Sequence, residues 1–180
     1  MNPEPEPGTR NPKLGTARIS IHSATEIDVP LILALIQELA EYERLSGEVV
    51  ATEASLTSSL FGKDARARAL IAYAGADSVG FAVYFYNFST FLGRAGLYLE
   101  DLFVRPTWRR QGVGRQLLRE LAQRAVADGC GRLDWSVLDW NEPAIRFYRS
   151  IGARPMDEWT VYRLTGDALV RFASDAPATR

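Results

Sequence analysis

A glycine-rich segment between a predicted strand and a predicted helix constrains this chain most. In RRQGVGRQLL, residues 109–118, two glycines lie among three arginines, directly before apolar residues at helical spacing. Unpaired N–H groups and the helix dipole make helix N-termini favourable for phosphates, and glycines let a ligand approach the backbone closely. The segment therefore predicts an anion-binding loop, with a solvated basic turn as the alternative.

Two known kinds of phosphate loop do not fit this segment. A Walker loop requires Gly-Lys-Ser/Thr, which the segment does not contain. A dinucleotide-binding fingerprint requires a third glycine at the position that Leu117 occupies. What remains is a loop shaped for a pyrophosphate, following a strand that belongs to a mixed sheet.

Composition excludes several classes of function. The 180 residues are 47% apolar with a formal net charge of −1, which indicates a globular domain and argues against a nucleic-acid partner. One cysteine, Cys130, and one histidine, His22, leave no internal disulfide and no cluster for a metal. The longest apolar run, residues 29–36, is far shorter than the roughly 20 residues of a membrane span. With no signal-peptide pattern at residues 1–17, we expect a cytoplasmic protein without a metal or membrane partner.

Apolar periodicity and turn residues predict the order of the elements. We expect one domain, residues 18–172, between a disordered leader, residues 1–17, and a short tail, residues 173–180. Predicted strands cover 18–24, 69–75, 78–88, 95–104, 132–138 and 160–166, and predicted helices cover 26–44, 52–61, 112–128 and 143–150. The three consecutive β-rich runs indicate an antiparallel meander. Together with the helices they predict an α/β or α+β domain around one mixed sheet.

A second candidate element is WNEPAIRFYRSIGA, residues 140–153. Asn141 suits a helix N-cap, and Pro143 suits the first helical position. Ala144 and Tyr148 are four residues apart and so lie on one face of the helix. Most helical tyrosines pack in a core. The alternative is that the Tyr148 hydroxyl, with a reference pKa of about 10, donates a proton to a thiolate leaving group.

Acidic residues form the third candidate element. Glu41 and Glu43 flank Tyr42 at the end of a predicted helix, and Glu100 and Asp101 lie within a predicted apolar strand. Carboxylates in an apolar strand are costly unless they are used. Strict alternation would place Glu100 and Asp101 on opposite faces, so a bulge is needed to bring both to one site. A solvated helix end and a structural ion pair are the alternatives.

Taken in order, LYLEDLFV, RPTWRRQGVG and NEPAIRFY resemble the GNAT superfamily of N-acetyltransferases. ELAEYERL and VGFAVYFYNFSTFLG are similar to its diamine (spermidine/spermine) and thialysine acetyltransferase branch, so the resemblance covers residues 18–172. It implies the GNAT fold: a central mixed, mostly antiparallel sheet flanked by helices on both faces. It also implies an enzyme with acetyl-CoA as cosubstrate, a small-molecule amine as second substrate, and a homodimer.

The resemblance also implies roles for individual residues. The coenzyme-binding residues that it implies are Leu102, Phe103, Val104, Arg109, Arg110, Gln111, Gly112, Val113, Gly114, Arg115, Asn141, Pro143, Ala144 and Tyr148. Tyr148 matches the general acid that protonates the departing coenzyme A thiolate, and Glu100 matches a carboxylate that relays the proton of the amine through water. The substrate contacts that it implies are Tyr42, Glu43, Glu100 and Asp101.

The mechanism implied is direct attack of a deprotonated amine on the thioester, in a ternary complex. The chain departs from the branch in a short connection at residues 75–77 and in a compressed segment after Gly152, which leaves the identity of the amine open. A protein or peptide amine is one alternative substrate. A non-catalytic acetyl-CoA-binding sensor is another alternative, against which the presence of both Tyr148 and Glu100 counts.

Overall fold

The computed structural model describes residues 18–174, which form two compact units that divide after Ser136. The predicted leader, residues 1–17, lies outside the described residues. So do residues 175–180 of the predicted tail, whereas Ala173 is the last residue of a helix. Among the residues described, no helix is long and apolar enough to cross a membrane.

Five strands build the sheet of the first unit, and their order in the sheet is their order along the chain. They are β1 (Ile19–Ser23), β2 (Arg68–Ala74), β3 (Asp77–Ser89), β4 (Arg94–Val104) and β5 (Leu133–Trp135). Strands β1 to β4 pair in antiparallel fashion, and β5 pairs parallel to β4. The predicted meander and the mixed, mostly antiparallel sheet are confirmed, and β5 is shorter than predicted.

Three helices of the first unit begin at residues that suit a helix start. They are α1 (Val29–Glu43), α2 (Glu53–Phe61) and α3 (Val113–Ala127). Pro30 lies in the first turn of α1. Thr52 caps α2, as predicted, by accepting a hydrogen bond from the Ser55 amide at 3.2 Å. Gly112 is the N-cap residue of α3.

The helices cover both faces of the sheet, as predicted. On one face, α1 packs against β2, β3 and β4 through two buried clusters, whose members include Ile32, Ile71, Leu35, Leu39, Phe81 and Phe103. On the other face, α3 turns its buried side chains toward the sheet: Val113, Leu117, Leu118, Leu121 and Ala125. Val83 packs with the α1 clusters, and its neighbour Tyr84 accepts a hydrogen bond from Arg124 of α3. The alternation of β3 therefore separates the two layers.

The second unit contains α4 (Glu142–Ser150) and α5 (Gly166–Ala173). Asn141 caps α4, as predicted, by accepting a hydrogen bond from the Ala144 amide at 3.4 Å. The predicted last strand at residues 160–166 is wrong. Residues 160–165 have no regular secondary structure, and Gly166 begins α5.

The error at residues 160–166 has a physical reason. An alternating apolar pattern makes a strand only where a neighbouring strand satisfies its backbone groups. Within the described residues this segment pairs with no strand of the sheet. The side chains that suggested burial, Val161 and Tyr162, are 82% and 92% exposed.

The packing of α3 on the sheet predicts the cost of truncating its buried face. Leu121 is fully buried, so Leu121→Ala lowers the free energy of unfolding by about 2–5 kcal/mol. Val126 is 80% exposed on the same helix, so Val126→Ala changes it by less than about 0.5 kcal/mol. Urea denaturation followed by circular dichroism measures both values. Equal losses in the two variants would contradict this packing.

Candidate active site

Strand β4 contains a bulge at Glu100. In its register with β3, Leu99 lies opposite Tyr84 and Asp101 lies opposite Val83, so Glu100 is the extra residue. A bulge interrupts the alternation of side chains and re-aims those next to it. The structure therefore contains the bulge that Glu100 and Asp101 need in order to act at one site.

Three carboxylates interact around this bulge. The pKa of Asp101 is raised to about 6, first by burial and then by the negative charges of Glu100 and Glu43. Burial also raises the pKa of Glu43, which ends α1. Glu100 is exposed. The end of α1 and the bulge of β4 thus form one acidic cluster, consisting of Glu43, Glu100 and Asp101.

Tyr42, the fourth predicted substrate contact, lies beside this cluster in the chain. Its ring is partly buried and packs against the apolar cluster of α1 and the sheet. The guanidinium carbon of Arg109 lies 4.1 Å from the centre of the Tyr42 ring, a distance typical of a cation–π contact. The sequence-predicted contacts at residues 42, 43, 100 and 101 therefore come from adjacent parts of one unit.

One edge of β4 is open within the first unit beyond the bulge. Pairing with β5 involves Leu97, Tyr98 and Leu99 and includes none of residues 100–104. Phe103 is 3% exposed, and its side chain belongs to the core with Leu35 and Leu39. Phe103 would therefore meet a ligand through its backbone. The same open edge contains Leu102 and Val104.

The glycine loop, residues 109–115, presents backbone rather than side chains at the start of α3. Gly112 has a φ of +84°, which L-residues rarely adopt, and no atom lies within 4 Å of the place where a Cβ would be. The first intrahelical bond runs from the Gln116 amide to the Gly112 carbonyl at 3.0 Å. The amides of Val113 and Gly114 precede it and have no acceptor within the helix. Val113 has a buried side chain, so its contribution to a ligand would also come from the backbone.

The polar side chains of the loop differ in exposure and partners. Arg110 and Arg115 are exposed, and Arg110 has a φ of +61°. Arg109 is partly buried, and its Nε donates a hydrogen bond to the Val104 carbonyl at 2.9 Å. The Gln111 side chain donates to the Thr107 carbonyl at 2.9 Å. The exposed charges of the loop are therefore those of Arg110 and Arg115.

The remaining predicted site residues belong to the second unit. Asn141, Pro143 and Ala144 form the start of α4, where the Asn141 carboxamide caps the helix. Tyr148 lies one helical turn after Ala144. Burial raises the pKa of the Tyr148 hydroxyl, so it stays protonated at neutral pH. That protonation state suits a proton donor.

Sequence reasoning missed a set of polar contacts behind the loop. Arg105, just after β4, donates three hydrogen bonds to Glu38 of α1, at 2.6, 3.0 and 3.2 Å, and two more to Ser78. Glu38 is one helical turn before Tyr42, so the helical spacing could have placed it on the same face. No local signal links it to Arg105, which is 67 residues away.

The described residues contain no group of three or more His, Cys, Asp or Glu side chains that could hold a metal ion. The acidic cluster consists of carboxylates from two elements, two of them with raised pKa values. Burial is the main cause of both shifts, and Glu100 and Glu43 add like-charge repulsion at Asp101, which a cationic group would relieve.

The chain matches the Acetyltransferase (GNAT) family over residues 33–153. It is 36% identical over 168 residues to the thialysine N-epsilon-acetyltransferase of Sus scrofa, and the alignment covers 87% of this chain and 98% of that protein. It is 34% identical over 213 residues to the L-ornithine N5-acetyltransferase of Arabidopsis thaliana, which covers 93% of each. In structure it is similar to an integron cassette protein of V. cholerae, with a TM-score of 0.74, 30% identity and coverage of 88% and 99%.

These similarities define the class of protein. The chain belongs to the GNAT acetyltransferase family and is an N-acetyltransferase. The family, the branch and the GNAT fold expected from the sequence motifs are confirmed.

The pKa of Asp101 predicts how stability changes with pH. It is about 6 in the folded protein against a reference value of 3.8, so the folded state binds the proton more tightly. The free energy of unfolding should therefore fall as pH rises from about 4 to about 6. Asp101→Asn should remove the decrease in the free energy of unfolding that Asp101 causes. The exposed Asp64→Asn variant should retain this decrease.

Urea denaturation at a series of pH values measures the effect. The wild-type chain and both variants are compared over the same range. A fall of unchanged size in Asp101→Asn would contradict the assigned pKa.

Proposed function

We propose that this enzyme transfers the acetyl group of acetyl-CoA to a primary amine of a small cationic substrate, by direct attack in a ternary complex. The observation that carries the proposal is the acidic cluster of Glu43, Glu100 and Asp101, which adjoins the open edge of β4. In a chain of the GNAT acetyltransferase family, a negative site beside that edge favours a cationic acceptor.

The part of the proposal that concerns acetyl-CoA rests on backbone groups that are open to a ligand. Amides of Val113 and Gly114, at the start of α3, would bind the pyrophosphate, with charge from Arg110 and Arg115. The open edge of β4 at residues 102–104 would pair with the pantetheine arm. Within the second unit, Asn141, Pro143 and Ala144 would add further contacts.

The fit of the loop to a pyrophosphate is supported by Gly112. Its side of the loop is open, with no atom within 4 Å of a would-be Cβ, so a bulky anion can approach the amides. A glycine N-cap has no side-chain acceptor to occupy those amides, unlike Thr52 at the start of α2.

The part of the proposal that concerns the amine substrate rests on the negative charge of the acidic cluster. An alkylammonium group has a pKa of about 10, so it must lose a proton before it can attack. The acidic cluster attracts the cation, and the exposed Glu100 gives its proton a route to solvent through water. The free amine nitrogen then attacks the thioester carbonyl carbon and gives up its second proton to water, and the carbon–sulfur bond breaks to leave the amide and the coenzyme A thiolate.

Tyr148 completes the proton balance. Its hydroxyl, protonated because burial raises its pKa, donates the proton to the departing thiolate. The tyrosinate then takes a proton from solvent, which returns the enzyme to its starting state. The relatives support the substrate class, because thialysine N-epsilon-acetyltransferase and L-ornithine N5-acetyltransferase are both named for side-chain amines.

We further propose that residues 18–172 act as one domain, in a homodimer in the cytoplasm. The family match at residues 33–153 spans both compact units, which supports a single functional domain. Exposed apolar side chains at Trp159, Val161 and Tyr162 support a partner surface. The lone Cys130 is compatible with a reducing compartment.

The proposed pyrophosphate loop predicts the effect of charge at Gly112. Gly112→Asp should weaken coenzyme A binding about tenfold or more, because the carboxylate repels phosphate at the helix N-terminus. Gly112→Asn should lose much less, since asparagine tolerates this backbone conformation and is neutral. Gly129, with a φ of +67° in open space after α3, provides the matched control Gly129→Asp.

Isothermal titration calorimetry with coenzyme A measures these affinities. The control separates backbone strain from loss of the phosphate site. Equal losses in Gly112→Asp and Gly129→Asp would mean that the loop does not bind the phosphates.

The reaction itself is tested by coenzyme A release from acetyl-CoA against a panel of amines. The panel contains spermidine, spermine, putrescine, thialysine, ornithine, lysine and a lysine peptide. We expect turnover with small cationic amines. Tyr148→Phe should lower kcat about 100-fold or more, whereas Tyr73→Phe, at a tyrosine of β2 outside the proposed site, should not.

Each other outcome corrects a defined part of the proposal. Turnover with the peptide alone would overturn the small-amine assignment. Coenzyme binding without turnover of any amine would favour a sensor. Full turnover of Tyr148→Phe at every pH would remove the acid role of Tyr148.

A further inference from the structure

Two arginines between β4 and α3 contact α1 at positions one helical turn apart. Arg105 forms an ion pair with Glu38 at 2.6 Å. The guanidinium of Arg109 lies over the ring of Tyr42, with 4.1 Å from its carbon to the ring centre. Glu38 and Tyr42 lie on one face of α1 because they are four residues apart. This face of α1 is therefore held against the segment that leads into the glycine loop.

The contacts of Arg109 depend on the shape of its side chain as well as its charge. Its Nε donates to the Val104 carbonyl at 2.9 Å, and its guanidinium also lies 5.7 Å from the centre of the Phe103 ring. Tyr42 itself packs against a buried cluster that includes Phe103. A flat guanidinium can stack on a ring while an edge N–H donates a hydrogen bond, which an ammonium group cannot reproduce.

The two partners of Arg109 belong to different parts of the proposed site. Tyr42 directly precedes Glu43, whose charge acts on Asp101 in the acidic cluster. Val104 ends β4, and its Cγ2 lies 3.7 Å from the place of a Cβ on Gly114 in the glycine loop. Arg109 thus contacts Tyr42, which adjoins the acidic cluster proposed to bind the amine, and Val104, which adjoins the glycine loop proposed to bind the coenzyme.

We propose that Arg109 is a positioning residue that couples the two substrate sites, by stacking on Tyr42 while it holds the end of β4. This inference rests on the proposed function of those sites. It assigns Arg109 a different role from the phosphate contact expected from the sequence, because the protein's own groups orient its guanidinium. The pyrophosphate is then left to the loop amides and to the exposed Arg110 and Arg115.

The inference is tested by a double-mutant cycle between the two stacked residues. The variants are Tyr42→Leu, which removes the ring, Arg109→Lys, which keeps the charge but not the planar group, and the double variant. Tyr42→Phe keeps the ring face as the conservative variant, and Arg119→Lys, at an exposed arginine of α3, is the control. Calorimetry with coenzyme A gives the affinity, and steady-state kinetics give the KM for the amine and kcat.

We expect the two single variants to weaken coenzyme A binding by about three- to tenfold each, the range of a partly buried cation–π contact. The double variant should lose about as much as either single variant, because both remove the same contact. Tyr42→Phe should recover most of the affinity that Tyr42→Leu loses. Arg109→Lys should also raise the KM for the amine by about three- to tenfold with little change in kcat, since Arg109 holds Tyr42, which directly precedes Glu43 of the acidic cluster.

Several results would overturn the inference. A Tyr42→Leu variant with wild-type affinity for coenzyme A would do so, as would additive losses in the double variant. If Tyr42→Leu does not fold, Arg109→Lys decides alone. Wild-type affinity and amine KM in Arg109→Lys would show that charge suffices. A wild-type protein that binds no coenzyme A would instead overturn the proposed function itself.

Discussion

The antiparallel pairing of β3 with β4 fixes the geometry on which the proposed site depends. The pair is continuous except at Glu100, where β4 has one extra residue. Before the bulge, β4 also pairs with β5, whereas residues 100–104 have no part in that pairing. Within the first unit, one strand therefore changes its role at one residue, from a central member of the sheet to an open edge with carboxylates at its start.

This arrangement places negative charge where an apolar sheet would ordinarily exclude it. Burial and two like charges raise the pKa of Asp101 to about 6, which is a cost to folding above that pH. Such a cost is understandable where a cation binds, because the cation's charge offsets the repulsion in the bound state. The position of Glu43 at the end of α1 means that the helix, and not the sheet alone, determines the cluster.

Local signals in the sequence predicted most of the fold and part of the site. The strand, loop and helix around Gly112 were predictable because glycine conformation and helix starts depend on neighbouring residues. Alternation showed that Glu100 and Asp101 could act at one site only if the strand contained a bulge, and the structure has that bulge. The Arg105–Glu38 contact was missed because it joins residues 67 apart, and nothing in either local sequence indicates the other.

The segment at residues 160–166 shows the opposite limit of prediction from sequence. Its apolar alternation is sound, yet a strand is a property of a pair, and no strand of the described sheet pairs with this segment. The helix start at Gly166 could have been recognised from the apolar residues that follow at helical spacing, Leu169 and Phe172. A strand is thus harder to predict than a helix start, because a strand requires a distant segment to pair with, whereas a helix start depends on neighbouring residues.

The arginines around the glycine loop extend this reasoning from backbone to charge. Five of them lie between residues 105 and 119, and counting them would suggest one positively charged patch for a phosphate. Their contacts instead divide these arginines into two groups. Arg105 and Arg109 are partly buried and bind α1, whereas Arg110 and Arg115 are exposed on the loop. A basic residue next to the proposed phosphate loop can therefore support the position of the loop through contacts within the protein, and its burial separates it from the exposed arginines that we propose to bind phosphate.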